Sequence, residues 1–104
     1  ANGEYKLFYE DGKLKEVGNY KNDKLEGEYV KYYPNKKVKE EGNYDGGELD
    51  GIVKIYQQNG SLKSAESFRN GKRSGIHKSY YPNGMTKLSA NFKNNMQDGK
   101  SYVY

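Results

Sequence analysis

Apolar and aromatic residues alternate with polar ones in short runs, and every run breaks at glycine, proline, asparagine or aspartate. The pattern is plainest at Gly-Glu-Tyr-Val-Lys-Tyr-Tyr (27–33), Pro-Asn-Lys, Val-Lys-Glu-Glu-Gly-Asn-Tyr (38–44) and Asp-Gly-Gly. It predicts strand, turn, strand, turn. The turn residues suit hairpins, since Asp11-Gly12, Asn59-Gly60 and Asn83-Gly84 supply positive φ angles, and Pro34 and Pro82 stand just ahead of such loops. No stretch carries apolar residues at helical spacing between caps, so no helix is expected. Strands of about six residues joined by short loops must pair antiparallel, because parallel pairing needs crossovers of a dozen residues or more.

The pattern repeats. Gly3, Gly27, Gly51, Gly75 and Gly99 are each 24 residues apart, and other columns keep the same spacing: Phe8, Tyr32, Tyr56, Tyr80 and Tyr104; Tyr20, Tyr44, Phe68 and Phe92; Lys15, Lys39, Lys63 and Lys87. The expected organisation is one domain over 1–104, with units starting at 3, 27, 51 and 75 and a partial unit at 99. The fold expected is all-β: an elongated single-layer antiparallel meander of about four hairpin repeats and about nine strands, roughly 40 Å long at ~4.8 Å per strand.

A barrel or sandwich needs an inward face that is apolar in nearly every strand, and this chain cannot supply one. Strict alternation along each second strand puts Leu14, Val38, Leu62 and Thr86 on the face of Tyr20, Tyr44, Phe68 and Phe92, and turns the Lys column the other way. Gly18, Gly42, Glu66 and Ala90 also fall on the aromatic face, where small residues leave room for a ring to lie flat across the strand. Tyr32-Tyr33 and Tyr80-Tyr81 are consecutive and point to opposite faces. Which of each pair joins the covered face depends on hairpin loop length, which alternation leaves open.

Composition sharpens this picture. Leu, Ile, Val and Phe total 17 of 104 residues, a level that accompanies disorder when net charge is high, but here the charge is only +4 and twelve tyrosines add aromatic area. A folded chain without a thick aliphatic core is expected. No apolar run approaches the roughly 18 residues of a membrane span and no charged-then-apolar leader is present, so the sequence reads as soluble, or as a mature fragment. The absence of cysteine removes disulfides, zinc ribbons and thiol catalysis, and fits a cell-surface or secreted setting somewhat better than a cytoplasmic one.

The repeat resembles the MORN-repeat variant family of bacteria, whose unit reads roughly Gly-x-Tyr-x-x-Tyr-Tyr-x-Asn-Gly-x-Leu-Lys-x-x-Gly-x-Tyr-x-Asn-Gly-Lys-x-Asp-Gly. Residues 27–50 match almost throughout, and the resemblance covers the whole chain. Departures are Lys36 where Gly is usual, Gln57 for the second Tyr, and Glu66-Ser67 for Gly-Asn, which make the third repeat the least regular. The resemblance implies a β-sheet interaction scaffold. It also brings the label antitoxin component, which carries little mechanism, and implies anionic lipid as a second partner.

Little catalytic chemistry is visible. His77 stands alone in the column of Tyr5, Tyr29 and Val53, and reads as a half-exposed strand residue rather than a general base. Glu40 and Glu41 point to opposite faces, and the Asp45–Glu48 turn lacks the ligand count that calcium demands, so neither enzyme activity, metal nor cofactor is expected. Tyrosine-rich surfaces suit protein recognition, with Tyr5, Tyr9, Tyr29, Tyr32, Tyr33, Tyr56, Tyr80 and Tyr81 as contact candidates for a protein or cell-surface component. Lys15, Lys39, Lys63 and Lys87 stand roughly 10 Å apart, two strands per repeat, and form the candidate site for an anionic membrane, polysaccharide or other polyanion. Nucleic acid is not an expected partner, because a charge of +4 spread along the chain gives weak, salt-sensitive binding. Residues 100–104 leave a final strand with apolar side chains on both faces, from which edge-to-edge self-association is expected.

Overall fold

The computed structural model describes residues 2–93 and the strand segments 96–97 and 102–103. Twelve strand segments follow in order: β1 (Gly3–Phe8), β2 (Leu14–Lys21), β3 (Lys24–Leu25), β4 (Gly27–Tyr32), β5 (Val38–Asp45), β6 (Glu48–Leu49), β7 (Gly51–Tyr56), β8 (Leu62–Arg69), β9 (Lys72–Tyr80), β10 (Thr86–Lys93), β11 (Met96–Gln97) and β12 (Tyr102–Val103). All join one antiparallel sheet in sequence order, β1-β2-β4-β5-β7-β8-β9-β10-β11, with β3 on β2, β6 on β5 and β12 on β10. β3 and β4 lie along the same edge of β2, and β6 and β7 along the same edge of β5. β9 runs unbroken through the equivalent position, so the twelve segments amount to ten strands where about nine were expected. The sheet measures 42 × 32 × 15 Å, the thickness of a single layer with its side chains. The partial unit from Gly99, with Tyr104, lies outside the described residues. Of the C-terminal strand, only the pairing of Tyr102 and Val103 with Ser89 and Leu88 is described.

The glycine column marks where the broken strands kink. Glu26 N–H donates to Asn19 C=O and Asp50 N–H to Asn43 C=O, both at 2.9 Å, and the next residues, Gly27 and Gly51, take φ of +80° and +93°. A side chain there would be strained although the space is open.

Two kinds of loop alternate at the two ends of the strands. At one end the turns have two residues, both left-handed: Asn22-Asp23, Gly46-Gly47 and Asn70-Gly71. At the other end the loops have three residues. Tyr9 N–H donates to Lys13 C=O (2.8 Å) and Gly12 N–H to Tyr9 C=O (2.9 Å), and the same pair of bonds recurs at 33–37, 57–61 and 81–85. Asp11, Asn35, Asn59 and Asn83 each accept the N–H two residues on, through a side-chain oxygen. Pro34 and Pro82 occupy the first loop position, where their fixed φ suits a type I turn. Only the third loop residue is left-handed: Gly12, Lys36, Gly60 or Gly84. Asp11-Gly12, Asn59-Gly60 and Asn83-Gly84 therefore close three-residue loops, while Asn70-Gly71 forms a two-residue turn at the other end.

These loops introduce a bulge that revises the expected faces. Leu7 pairs with Glu16 but Phe8 with Leu14, so Lys15 is skipped. The skip recurs at Lys39, Lys63 and Lys87. One unpaired residue reverses alternation beyond it. Leu14, Val38, Leu62 and Thr86 thus leave the aromatic face and join Phe8, Tyr32, Tyr56 and Tyr80, their direct partners. The Lys column, expected opposite the aromatic face, lies on it instead: Lys15 and Lys39 line one small niche with Glu16, Lys31 and Tyr9. Tyr32 and Tyr80 fall on the face opposite the aromatic one by alternation from Tyr29 and His77 along β4 and β9, and the bulge brings Val38 and Thr86 to that face to meet them.

Every buried side chain among the described residues sits on the aromatic face: Tyr29 (3% exposed), Val53, Ser64 and Ala90. The Tyr5 ring lies across Gly18 and the Tyr29 ring across Gly42, so close that a Cβ would stand 2.5 Å and 2.7 Å from Cε1 of the respective ring. Tyr20 and Tyr44 close over these rings with centroids 5.1 Å and 5.0 Å apart, contacts worth about 0.5–1.5 kcal/mol each beyond area burial. With no second layer, the core is one ring deep.

Two substitutions test this packing in thermal melts. Gly42→Val gains β-propensity yet should lose about 1–3 kcal/mol, because Tyr29 must move; a raised melting temperature would mean that the ring does not lie over Gly42. Lys36→Gly, at φ +72°, should gain about 0.5–1 kcal/mol by relieving the left-handed strain that the equivalent loops avoid with glycine. No gain would show that the Lys36 side chain compensates.

Candidate binding faces

On the aromatic face, tyrosine hydroxyls are spent inside the sheet. Tyr5 OH donates to Glu16 Oε2 and Tyr29 OH to Glu40 Oε2, both at 2.6 Å. Tyr9 OH donates to Tyr32 C=O and Tyr33 OH to Tyr56 C=O, again at 2.6 Å, so each ring stitches its own repeat to the next. Burial takes the Tyr29 ring out of a partner's reach, and Tyr5, Tyr9 and Tyr33 hold the sheet together. Burial, then the bond to a carboxylate, raises the Tyr5 and Tyr29 hydroxyls well above the ordinary phenol value.

The bulged lysines stand over this stitching. Lys15 Nζ lies 5.7 Å from the Tyr9 centroid, Lys39 Nζ 5.8 Å from Tyr33 and Lys87 Nζ 5.8 Å from Tyr81. Gln57 occupies the ring position beside Lys63. All four lysines are exposed, and among the described residues none has a carboxylate within 4.0 Å, unlike Lys6, Lys13 and Lys31.

The third and fourth repeats carry a different cluster. Val53 takes the ring position and Glu66 the glycine position opposite it. Glu66 Oε1 lies 3.0 Å from His77 Nδ1, and Glu66 Oε2 lies 3.7 Å from Arg73 Nε. His77 pairs with Ala90, and its ring meets Phe92 edge-on at 6.1 Å. His77 Nδ1 is shielded from solvent and makes no well-aligned hydrogen bond, and the cluster fills the place that the tyrosine rings take in the first two repeats. No group of three or more metal-ligating side chains occurs among the described residues.

The opposite face is open. It carries Tyr32, Tyr56 and Tyr80 half-buried and Phe8 57% exposed. Tyr56 OH donates to Glu41 Oε1 at 2.7 Å, and that bond, with burial, pushes the hydroxyl up to about 12. Two residues absent from the sequence-based candidates dominate this face: Ile52, 56% exposed, and Ile76, 51% exposed. Together with Ala65, Ser67 and Lys78 they line a shallow depression of about 340 Å³. Ile52 also borders a second depression of about 370 Å³ with Glu28, Val30, Glu41, Asn43 and Lys54. The column 4, 28, 52, 76 reads Glu, Glu, Ile, Ile, and that change of character in an outward column was the available signal.

A family model described as MORN repeat variant matches residues 1–22, 25–45, 49–70 and 73–94. No curated protein matches the sequence. Among solved structures, a chain in the crystal structure of accessory secretory protein 1,2 and 3 in Streptococcus pneumoniae is similar at 14% identity with a TM-score of 0.53, over 97% of this chain. The present chain spans 19% of that chain's length, and the likeness is one of fold.

The hydroxyl network sets an alkaline limit. Unfolded phenols titrate near pH 10, and the fold raises Tyr5, Tyr29 and Tyr56 by favouring the neutral form, so their stabilisation is complete below pH ~10 and lost as pH rises through the folded values. Phenolate absorbance, taken as the difference between the protein and its Tyr56→Phe variant, should show Tyr56 titrating near 12, and earlier when Glu41→Gln removes the charged acceptor. A Tyr56 midpoint near pH 10 in the unsubstituted protein would refute the bond.

Proposed function

This chain belongs to the MORN repeat variant family, and from that premise we propose that it is a non-enzymatic repeat scaffold that binds another protein, at the cell surface or outside the cell, through its open face. The observation that carries the reading is the exposure of Ile52 and Ile76 on either side of β8, lining one depression across Ala65 and Ser67. Each leaves apolar area in water at roughly 25 cal/mol per Å², and contiguous exposed apolar surface rimmed by charge is the character of an interface. Phe8, Tyr32, Tyr56 and Tyr80 extend the patch along the same face, supplying the aromatic anchors that interface cores favour. Lys54, Lys78, Glu28 and Glu41 give it a mixed-charge rim. A face of 42 × 32 Å is also large enough for the ~800 Å² per partner of a standard complex. The similar fold occurs in a crystal structure of several accessory secretory proteins together, which accords with a protein-bound setting.

The test uses a photo-cross-linking residue at Ile76 on the open face and, separately, at Leu7, an exposed apolar position on the aromatic face. One discrete protein adduct is expected from position 76 and not from position 7. Ile52→Glu with Ile76→Glu should abolish partner binding, at least tenfold by titration, with an unchanged melting temperature. Equal adducts from both faces, or binding that survives the double substitution, would overturn the open-face reading.

A second reading is favoured by the bulge, which gathers the Lys column at one edge of the aromatic face without carboxylate partners: that column binds a polyanion.

A further inference from the structure

We infer that the four bulged lysines form a linear subsite for an acidic polysaccharide that carries one carboxylate on every second sugar. The inference rests on the polyanion reading and is independent of the open face.

The bulge is what makes the lysines a line. Lys15, Lys39, Lys63 and Lys87 are the residues skipped in each hairpin's register, so all four leave the sheet at the same point of the repeat, next to the three-residue loops. Equivalent strands are two apart, which spaces the ammonium groups at ~10 Å. That is about one Debye length at cellular salt, so their mutual repulsion is mild and each can take its own anion. Among the described residues no carboxylate lies within 4.0 Å of any of the four, although Glu16 shares the niche of Lys15 and Lys39. Glu16 and Glu40, the carboxylates nearest in the register, already accept the Tyr5 and Tyr29 hydroxyls, and Lys31 lies 3.9 Å from Glu40.

The spacing selects among polyanions. Duplex nucleic acid carries a charge every 3.4 Å along each strand, far denser than this ladder. Base stacking is also blocked, because the Tyr9 and Tyr33 hydroxyls are fixed to the next repeat and their rings lie under lysines. A single small anion would use one lysine and gain nothing from the array. A chain of pyranoses advances by about one inter-strand distance per ring, ~5 Å, so a carboxylate on alternate sugars meets alternate strands. Between lysines, sugar hydroxyls would meet the polar loop residues, among them Gln57 and Gln58.

The structure contains its own imperfect rung. Lys15, Lys39 and Lys87 rest on tyrosine rings, whereas Lys63 stands beside Gln57 and lacks that support. Ring contact restricts where an ammonium can go, so the third rung is the least organised.

Hyaluronan oligosaccharides of increasing length, which alternate a uronic acid with a neutral sugar, are the probe, titrated by calorimetry at two salt concentrations. Affinity should rise with length until the chain spans all four lysines, roughly 30 Å, and then level off. Replacing Lys15, Lys39, Lys63 and Lys87 by Gln should weaken the long oligosaccharide at least tenfold and make its remaining binding less dependent on salt. Replacing the same four by Arg should retain binding, and Gln57→Tyr should tighten it about twofold to threefold by ordering Lys63. Melting temperatures monitor folding throughout. Ile52→Glu with Ile76→Glu should leave this binding unchanged, which separates a failure here from a failure of the open-face reading. Affinity independent of oligosaccharide length, binding unaffected by the Gln substitutions, or tighter binding of polyphosphate or of vesicles containing anionic lipid would overturn the proposal.

Discussion

The structure depends on a ring lying flat over a glycine across an antiparallel pair. A single-layer sheet has no second layer to bury its apolar face, so the only cover available is its own side chains folded back onto it. Tyr5 over Gly18 and Tyr29 over Gly42 achieve this: the missing Cβ lets the ring approach the backbone, and the phenol reaches a carboxylate two residues before the glycine on the same strand. Tyr20 and Tyr44 then close the ring pair. The price is modest apolar burial per residue, and the chain answers it by repetition, each unit adding the same contacts to the one before it.

Repetition also tolerates substitution. Where Glu66 replaces the small residue, a ring could no longer lie down, and its partner position holds Val53 instead. The carboxylate turns toward the next strand, between His77 and Arg73, and Arg73 lies 5.4 Å from the Phe92 centroid. Aromatic contact is thereby moved one strand along rather than lost. Ala90, opposite His77, restores the small-residue rule in the fourth repeat.

The bulge is the second organising device, because it divides labour between the faces. It carries the lysines onto the edge of the ring-covered face and sends Leu14, Val38 and Leu62 to the other, beside Phe8, Tyr32 and Tyr56. One face is therefore built of tied hydroxyls and solvated cations, the other of half-covered rings and the exposed isoleucines. The proposed protein surface and the proposed anion ladder are compatible on one thin sheet since neither face has to serve as the core for the other.

The sequence alone determined the repeat, the antiparallel meander, the absence of helices, the ring-over-glycine pairing and the family, because each is encoded in local residue type and fixed spacing. It also located the columns that matter, including Lys15, Lys39, Lys63 and Lys87. Only the tertiary structure decided which face each column occupies. A bulge is a property of which N–H meets which C=O across two strands, and a three-residue loop whose third residue is left-handed shifts that meeting by one. Alternation counted along the chain cannot register such a shift, so it puts the lysines and the residues before them, Leu14, Val38, Leu62 and Thr86, on exchanged faces. The prominence of Ile52 and Ile76 escaped for a related reason: an isoleucine in a strand counts as core until the sheet shows that nothing lies above it.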